Sequence, residues 1–313
     1  MPPPPLGQDP DLDNVTSWFG QQGDLAEAFG MAVRTGLDEI IDTARTGRWD
    51  LEQCGDQEKA YVGVKVEHVI RGCFDFLKGS HGMDYEIDGV DVDCKWSKNF
   101  GQWQIPREAV GHICLLVWAD DPACELAVGL IRIRQEILVG GNQDQKKTIQ
   151  SPRGRGEIRW ILPRSRVLPP NFLLQLSAVE RRAILMLKGG DARARELFKR
   201  CEGVIIYRHT IESIGQQVDE SRRFRGETRQ TLRDEGFEVL NGHWKAQRAR
   251  AAALGGPIPR TSKEWICLRS DGSTPARVHA RMAAAKNVRV HSDGPIIDSQ
   301  LHLPFEAHAA EEV

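Results

Sequence analysis

One stretch, residues 83–98 (MDYEIDGVDVDCKWSK), constrains this chain more than any other. Tyr85, Ile87, Val90 and Val92 alternate mostly with polar residues, and Asp88-Gly89 separates the two runs. That pattern predicts a β-hairpin closed by a two-residue turn. A plain hairpin needs neither a carboxylate at Asp84 on its first strand nor Asp93-Cys94-Lys95 at the end of its second. Alternation places Asp93 and Lys95 on one face and Cys94 on the other. Two acids and a lysine gathered in this way can hold a hard divalent cation and orient a water beside it, as hydrolysis of a phosphodiester requires.

The spacing is similar to the PD-(D/E)xK nuclease signature, with Asp84 as the first acid and Asp93-x-Lys95 as the second half. Asp144-Gln145-Lys146 has the same form, but it follows Gly140-Gly141-Asn142 and reads as a turn with no strand to fix the acid. On residue types alone, the first set could equally be a salt-bridged solvent face. Context comes from residues 59–77, where Val62, Val66, Val69, Ile70, Cys73, Phe76 and Leu77 recur at spacings near three and four. This predicts a helix packed on a sheet. Glu67 borders its apolar stripe, either as a third acid for the same site or as a glutamate reaching solvent.

At 313 residues, 40% hydrophobic and 27% charged, the chain can bury one large core or two medium ones. No apolar run approaches the roughly 20 residues that span a bilayer, and Met1-Pro2-Pro3-Pro4-Pro5 lacks the regions of a signal peptide, so a cytoplasmic protein without membrane contact is expected. The seven cysteines are scattered, with no C-x-x-C pair, which argues against a disulfide framework or a zinc site. Residues 1–150 carry 14 Lys+Arg against 25 Asp+Glu, whereas residues 151–313 carry 28 against 19. The second half is therefore the better surface for a polyanion. Acids in the first half are compatible with nucleic acid where a bound cation offsets them.

Residues 1–14, rich in proline and acid, are expected to be disordered. Residues 24–44 show helical spacing and run into Arg45-Thr46-Gly47-Arg48-Trp49, a turn that could offer Arg45, Thr46 and Arg48 to phosphates or simply cap the helix. Residues 113–118 (ICLLVW) predict a buried strand and residues 126–138 another, so helix, hairpin and strands make an α/β core of mixed sheet with the acids at one edge. Residues 140–147 (GGNQDQKK) read as an exposed loop in which Asn142, Lys146 and Lys147 could contact bases. Pro163, Pro169 and Pro170 mark residues 162–177 as a linker, which sets off residues 1–161 from residues 178–313. Beyond it, residues 210–218 and 227–234 fit a helix-turn-helix, or equally an amphipathic helix pair in a generic core, with Arg222, Arg223, Arg225 and Arg229 around the start of the second helix and residues 237–240 and 265–268 as wing strands.

Together the segments RTGRW (45–49), VEH (66–68), DYEIDGV (84–90), VDCKWS (92–97), IPREAVGHICLLVWADD (105–121), RRFRG (222–226) and DEGFEVLNGH (234–243) resemble the NaeI-type type II restriction endonucleases over most of the chain. The resemblance implies a restriction-endonuclease-like mixed sheet with flanking helices, followed by a winged helix-turn-helix effector domain of α+β type. It implies a Mg²⁺-dependent, site-specific deoxyribonuclease of a restriction-modification system. It also implies a homodimer that cuts double-stranded DNA at a GC-rich palindrome and binds a second duplex as effector. Glu67, Asp84, Asp93 and Lys95 then occupy the catalytic positions, with Asp84, Asp93, Glu67 and the Cys94 backbone carbonyl as metal ligands. Two readings remain beside it: a DNA-binding regulator whose nuclease-like domain only dimerises, and a topoisomerase or recombinase. No tyrosine is well placed for the latter.

Overall fold

The computed structural model describes residues 8–141, 146–150, 152–215 and 227–273. Its first core forms around a five-stranded sheet in the order β1-β2-β3-β4-β7, with β1 Tyr85–Ile87, β2 Val90–Ser97, β3 Ile113–Asp120, β4 Glu125–Arg132 and β7 Arg159–Ser165. β2 and β3 run parallel and every other neighbouring pair is antiparallel, so the sheet is mixed as expected. The apolar run ICLLVW becomes β3, buried along almost its whole length at the centre of the sheet. β1 is the short edge strand.

Helices α1 (Pro10–Gly20), α2 (Leu25–Ile41) and α4 (Asp56–Cys73) cover one face. α2 starts where the Asp24 carboxylate accepts a hydrogen bond from Glu27 N, and it buries Phe29, Val33, Leu37, Ile40 and Ile41. α4 starts where Glu58 reaches back to Gly55 N at 2.8 Å, and it buries Val62, Val66 and Ile70. The two helices cross closely because residue 36 is glycine. A Cβ there would lie 3.0 Å from a Val66 methyl. The other face of the sheet carries a second apolar layer around Trp103, Leu116, Trp118 and Ile131.

The chain departs from the sequence expectations in several places. Of the stretch 1–14 expected to be disordered, residues 1–7 lie outside the described residues and residues 8–14 are ordered: Asp9 caps α1 by accepting from Leu12 N at 3.1 Å, Pro10 begins the helix, and buried Arg132 on β4 bonds Asp9 and Asp11. The segment earns order through a paired buried charge that the local proline-rich composition does not reveal. The helix expected over 24–44 breaks at Asp42, whose φ is +46°, and resumes as α3 (Thr43–Thr46). That expected over 59–77 ends at Cys73, and Leu77 instead bridges to Glu86. The strand expected over 126–138 ends at Arg132.

The supposed linker is not a free connector. Leu162 to Ser165 finish β7, Leu168 packs into the first core, and Phe172, Leu173 and Leu176 pack into another core formed by the second half. That second core joins α7 (Gly190–Arg200), α8 (Arg208–Gly215) and α9 (Glu227–Asp234) to a three-stranded sheet, β8 (Ile205–Tyr207), β10 (Glu264–Arg269) and β9 (Phe237–Asn241) in that order. The two expected wing strands do pair, in antiparallel register, but α10 (Lys245–Ala253) lies in their connection. Trp49, which follows α3, packs against this second core, with the Arg181 guanidinium 4.9 Å from its ring and Asn171 donating to its carbonyl.

Candidate active site

The hairpin forms as its sequence dictates. Asp88 and Gly89 both take positive φ, +51° and +76°, as a type I′ turn demands, and Ile87 pairs directly with Val90. Continuing that register sets Asp84, which lies just before β1, across from Asp93 on β2. Cys94 N donates to Asp84 Oδ2 at 2.7 Å, which fixes the first acid against the second strand. The Cys94 side chain is buried in the helix-covered core, so it packs as a small apolar group and points away from Asp93.

Asp93 is buried and ion-paired with Lys95, whose Nζ lies 2.7 Å from its Oδ2. Burial and a hydrogen bond to the Asp84 carboxylate push the Asp93 carboxyl up to about 7, against the lowering pull of Lys95. Burial pulls the Lys95 ammonium down, but the Asp93 charge outweighs it and leaves the ammonium raised. Lys95 is therefore a standing cation beside the Asp84–Asp93 pair.

Glu67 sits on α4, half-buried. Burial first, and then the Asp84 charge, raise its carboxyl. The Tyr85 hydroxyl donates to the Glu67 backbone carbonyl at 2.9 Å, tying α4 to the hairpin at that residue. Strand alternation by itself does not reveal this positioning contact, which joins residues 18 positions apart. Glu67 adds its field without closing on the pair: among the described residues, no three His, Cys, Asp or Glu side chains gather as a metal cage. Two adjacent carboxylates still suit a small hard cation, which binds through one or two of them and keeps much of its water. Asp93 Oδ2, buried with the Lys95 ammonium as its neighbour, is the oxygen that such a cation would share.

The same chain matches the family model described as Restriction endonuclease NaeI over residues 13–297. It is also 36% identical over 260 residues to the Type II restriction enzyme NaeI of Lentzea aerocolonigenes, which covers 80% of this chain and 81% of that relative. The chain belongs to the NaeI restriction endonuclease family. It is accordingly a site-specific deoxyribonuclease that hydrolyses phosphodiesters in double-stranded DNA, and enzymes of this type generally need a divalent metal. A purely regulatory DNA binder and a strand-rejoining enzyme are both set aside by that membership. No helix among the described residues is long and apolar enough to cross a membrane.

The candidate DNA contacts of this NaeI-family chain divide sharply. Arg45 is exposed and, among the described residues, pairs only with Asp42, at 3.2 Å. Arg48 is not free for phosphate: it donates to the Ile40 and Ile41 carbonyls at the end of α2 and to Glu58 at 2.7 Å. Thr46 likewise bonds the Ile41 and Asp42 carbonyls and accepts from Arg48 N. Unsatisfied carbonyls at the C-terminus of a 17-residue helix have claimed both side chains. Arg229 also turns inward, donating to Val239 O and Gln247 Oε1 beneath the Trp265 ring. Lys147 is half-exposed and pairs through its backbone with Ile105, and Lys146 lies beside it. Asn142, Arg222, Arg223 and Arg225 lie outside the described residues.

Proposed function

We propose that this enzyme is a homodimeric, Mg²⁺-dependent restriction endonuclease that cuts a GC-rich palindrome, and that its C-terminal half binds a second copy of the site as an effector. The observation that carries the catalytic part is the Asp84–Asp93–Lys95 set on one hairpin edge. The effector part is supported by the second core and by the positive charge of residues 151–313. A GC-rich palindrome and a dimer rest on the family alone.

In this reading Asp84, Asp93 and the Cys94 carbonyl hold Mg²⁺, whose role when bound is to acidify a water and offset charge on the scissile phosphate. Lys95, kept protonated by Asp93, donates to the attacking water or to a non-bridging phosphate oxygen and stabilises the charge that builds in the transition state. Glu67, raised by burial, orients that water from the α4 side. The attacking water gives up a proton to solvent as its oxygen bonds to phosphorus, the P–O bond to the leaving oxygen breaks, and that oxygen takes up a proton from solvent.

A one-site plasmid incubated with Mg²⁺, with and without a short duplex carrying the site, tests both parts. Linear product with fixed ends is expected, formed roughly 5- to 150-fold faster when the duplex is present. Stimulation should weaken in Arg222→Ala/Arg225→Ala. Cleavage by Lys95→Ala at a near-normal rate in saturating Mg²⁺ would overturn the active-site assignment, and unstimulated cleavage by the parent would remove the effector.

A further inference from the structure

The connection between β9 and β10 presents an aromatic side chain where none is needed for folding. Trp244 is 59% exposed and Ile258 49%, both in this connection, although large apolar groups usually bury. The turn that carries Trp244 is not loose. Asn241, itself buried, donates through its side chain to Ser262 O at 3.0 Å and Glu264 O at 2.9 Å, and its carbonyl oxygen Oδ1 accepts from His243 N. Gly242 N donates to Glu264 O, and Arg248 donates to the Gly242 carbonyl at 2.7 Å. Gly242 presses so closely on Thr261 that any Cβ would collide with its backbone. His243 meets Trp244 edge-on, with centroids 4.7 Å apart. The fold thus orders this segment and still leaves the indole in water.

Its surroundings specify what could cover it. Residues 241–263 contain five Lys or Arg and no Asp or Glu. Arg250 pairs with Glu238, Lys263 pairs with Glu27, and Arg248 is held on backbone carbonyls. The exposed Lys245 ammonium and Arg260 guanidinium have no carboxylate partner among the described residues. An exposed indole on an ordered turn, with two cations in the same connection that have no carboxylate partner among the described residues, matches the chemistry of a duplex groove, which offers sugar and base edges between two phosphate backbones.

We propose that the His243–Lys245 turn, with Arg260, is a DNA-contacting edge of the C-terminal half, with Trp244 inserted in the groove of the effector duplex and Lys245 and Arg260 on its phosphates. The assignment rests on the reading of that half as the effector binder.

The test follows binding of a fluorescein-labelled duplex carrying the cleavage site to the full chain in metal-free buffer, by anisotropy over a range of salt. Trp244→Ala should weaken one of two binding steps about tenfold or more, while Trp244→Phe keeps most of the affinity. Lys245→Ala/Arg260→Ala should flatten the log–log salt slope by about 2. Parent-like binding by these variants, with weakened binding by Arg222→Ala/Arg225→Ala, would overturn this surface and leave the effector reading intact. A single binding step in the parent would remove the effector reading and the assignment that rests on it. If Trp244→Ala lowers the sedimenting mass but not DNA affinity, the turn is a protein interface and the proposal fails.

Discussion

Asp93 shows how a buried carboxylate can work against the fold that holds it. Its carboxyl has an ordinary value of 3.8, and burial beside Asp84 raises it to about 7 in the folded chain. The folded state therefore holds the proton more tightly than the unfolded state does. The corresponding stability is fully present below about pH 3.8 and is lost as pH rises through about 7. Asp93→Asn removes that charge while keeping size, and it exchanges one acceptor oxygen for a donor NH2. In metal-free buffer at pH 8 the variant should melt above the parent, with the gap closing toward pH 5, and it should cleave no DNA. Added Mg²⁺ should raise the Tm of the parent at pH 8 but not that of the variant. A parent that melts above Asp93→Asn at pH 8 without metal would show that Lys95 more than offsets the burial.

At the scale of an element, the end of α2 explains why an arginine that looks available to DNA is not. Three hydrogen bonds hold Arg48 on two terminal carbonyls and on Glu58, and its side chain is 20% exposed. Arg48→Ala should therefore cost about 1–2 kcal/mol in urea unfolding and leave the salt slope of DNA binding unchanged. Arg45, 78% exposed beside it, should behave in the opposite way. Helical periodicity announced α2 but could not say where it breaks. The break at Asp42 depends on a left-handed residue and on partners ten or more positions along the chain.

For the whole molecule, the decisive contact is Trp49. It leaves the first half, packs on the second core and lies under Arg181, while Asn171 binds its carbonyl. Trp49→Ala should cost about 3 kcal/mol, in the range for truncating a packed tryptophan. It should also lower the stimulation of one-site cleavage by added duplex, because the second core loses the side chain that the segment after α3 sends to it. Unchanged stimulation together with a lower Tm would leave Trp49 as a packing residue alone. Rates with and without duplex, measured below the melting transition, decide between the two.

Period and turn chemistry sufficed to place the hairpin, its Asp88-Gly89 turn, the central strand β3 and the acid–lysine set, because each is set by neighbours within a few residues. Family membership was likewise legible in short ordered motifs. The tertiary structure alone decided the order of residues 8–14, where Asp9 meets Arg132 across more than a hundred residues, and the inward turn of Arg48 and Arg229. It alone also decided the distance of Glu67 from the acid pair and the helix inserted between β9 and β10. The reason is common to all of these. A charged side chain has the same local pattern whether it meets water, a helix end or a buried counter-charge, and only the packed chain brings the partner that settles which.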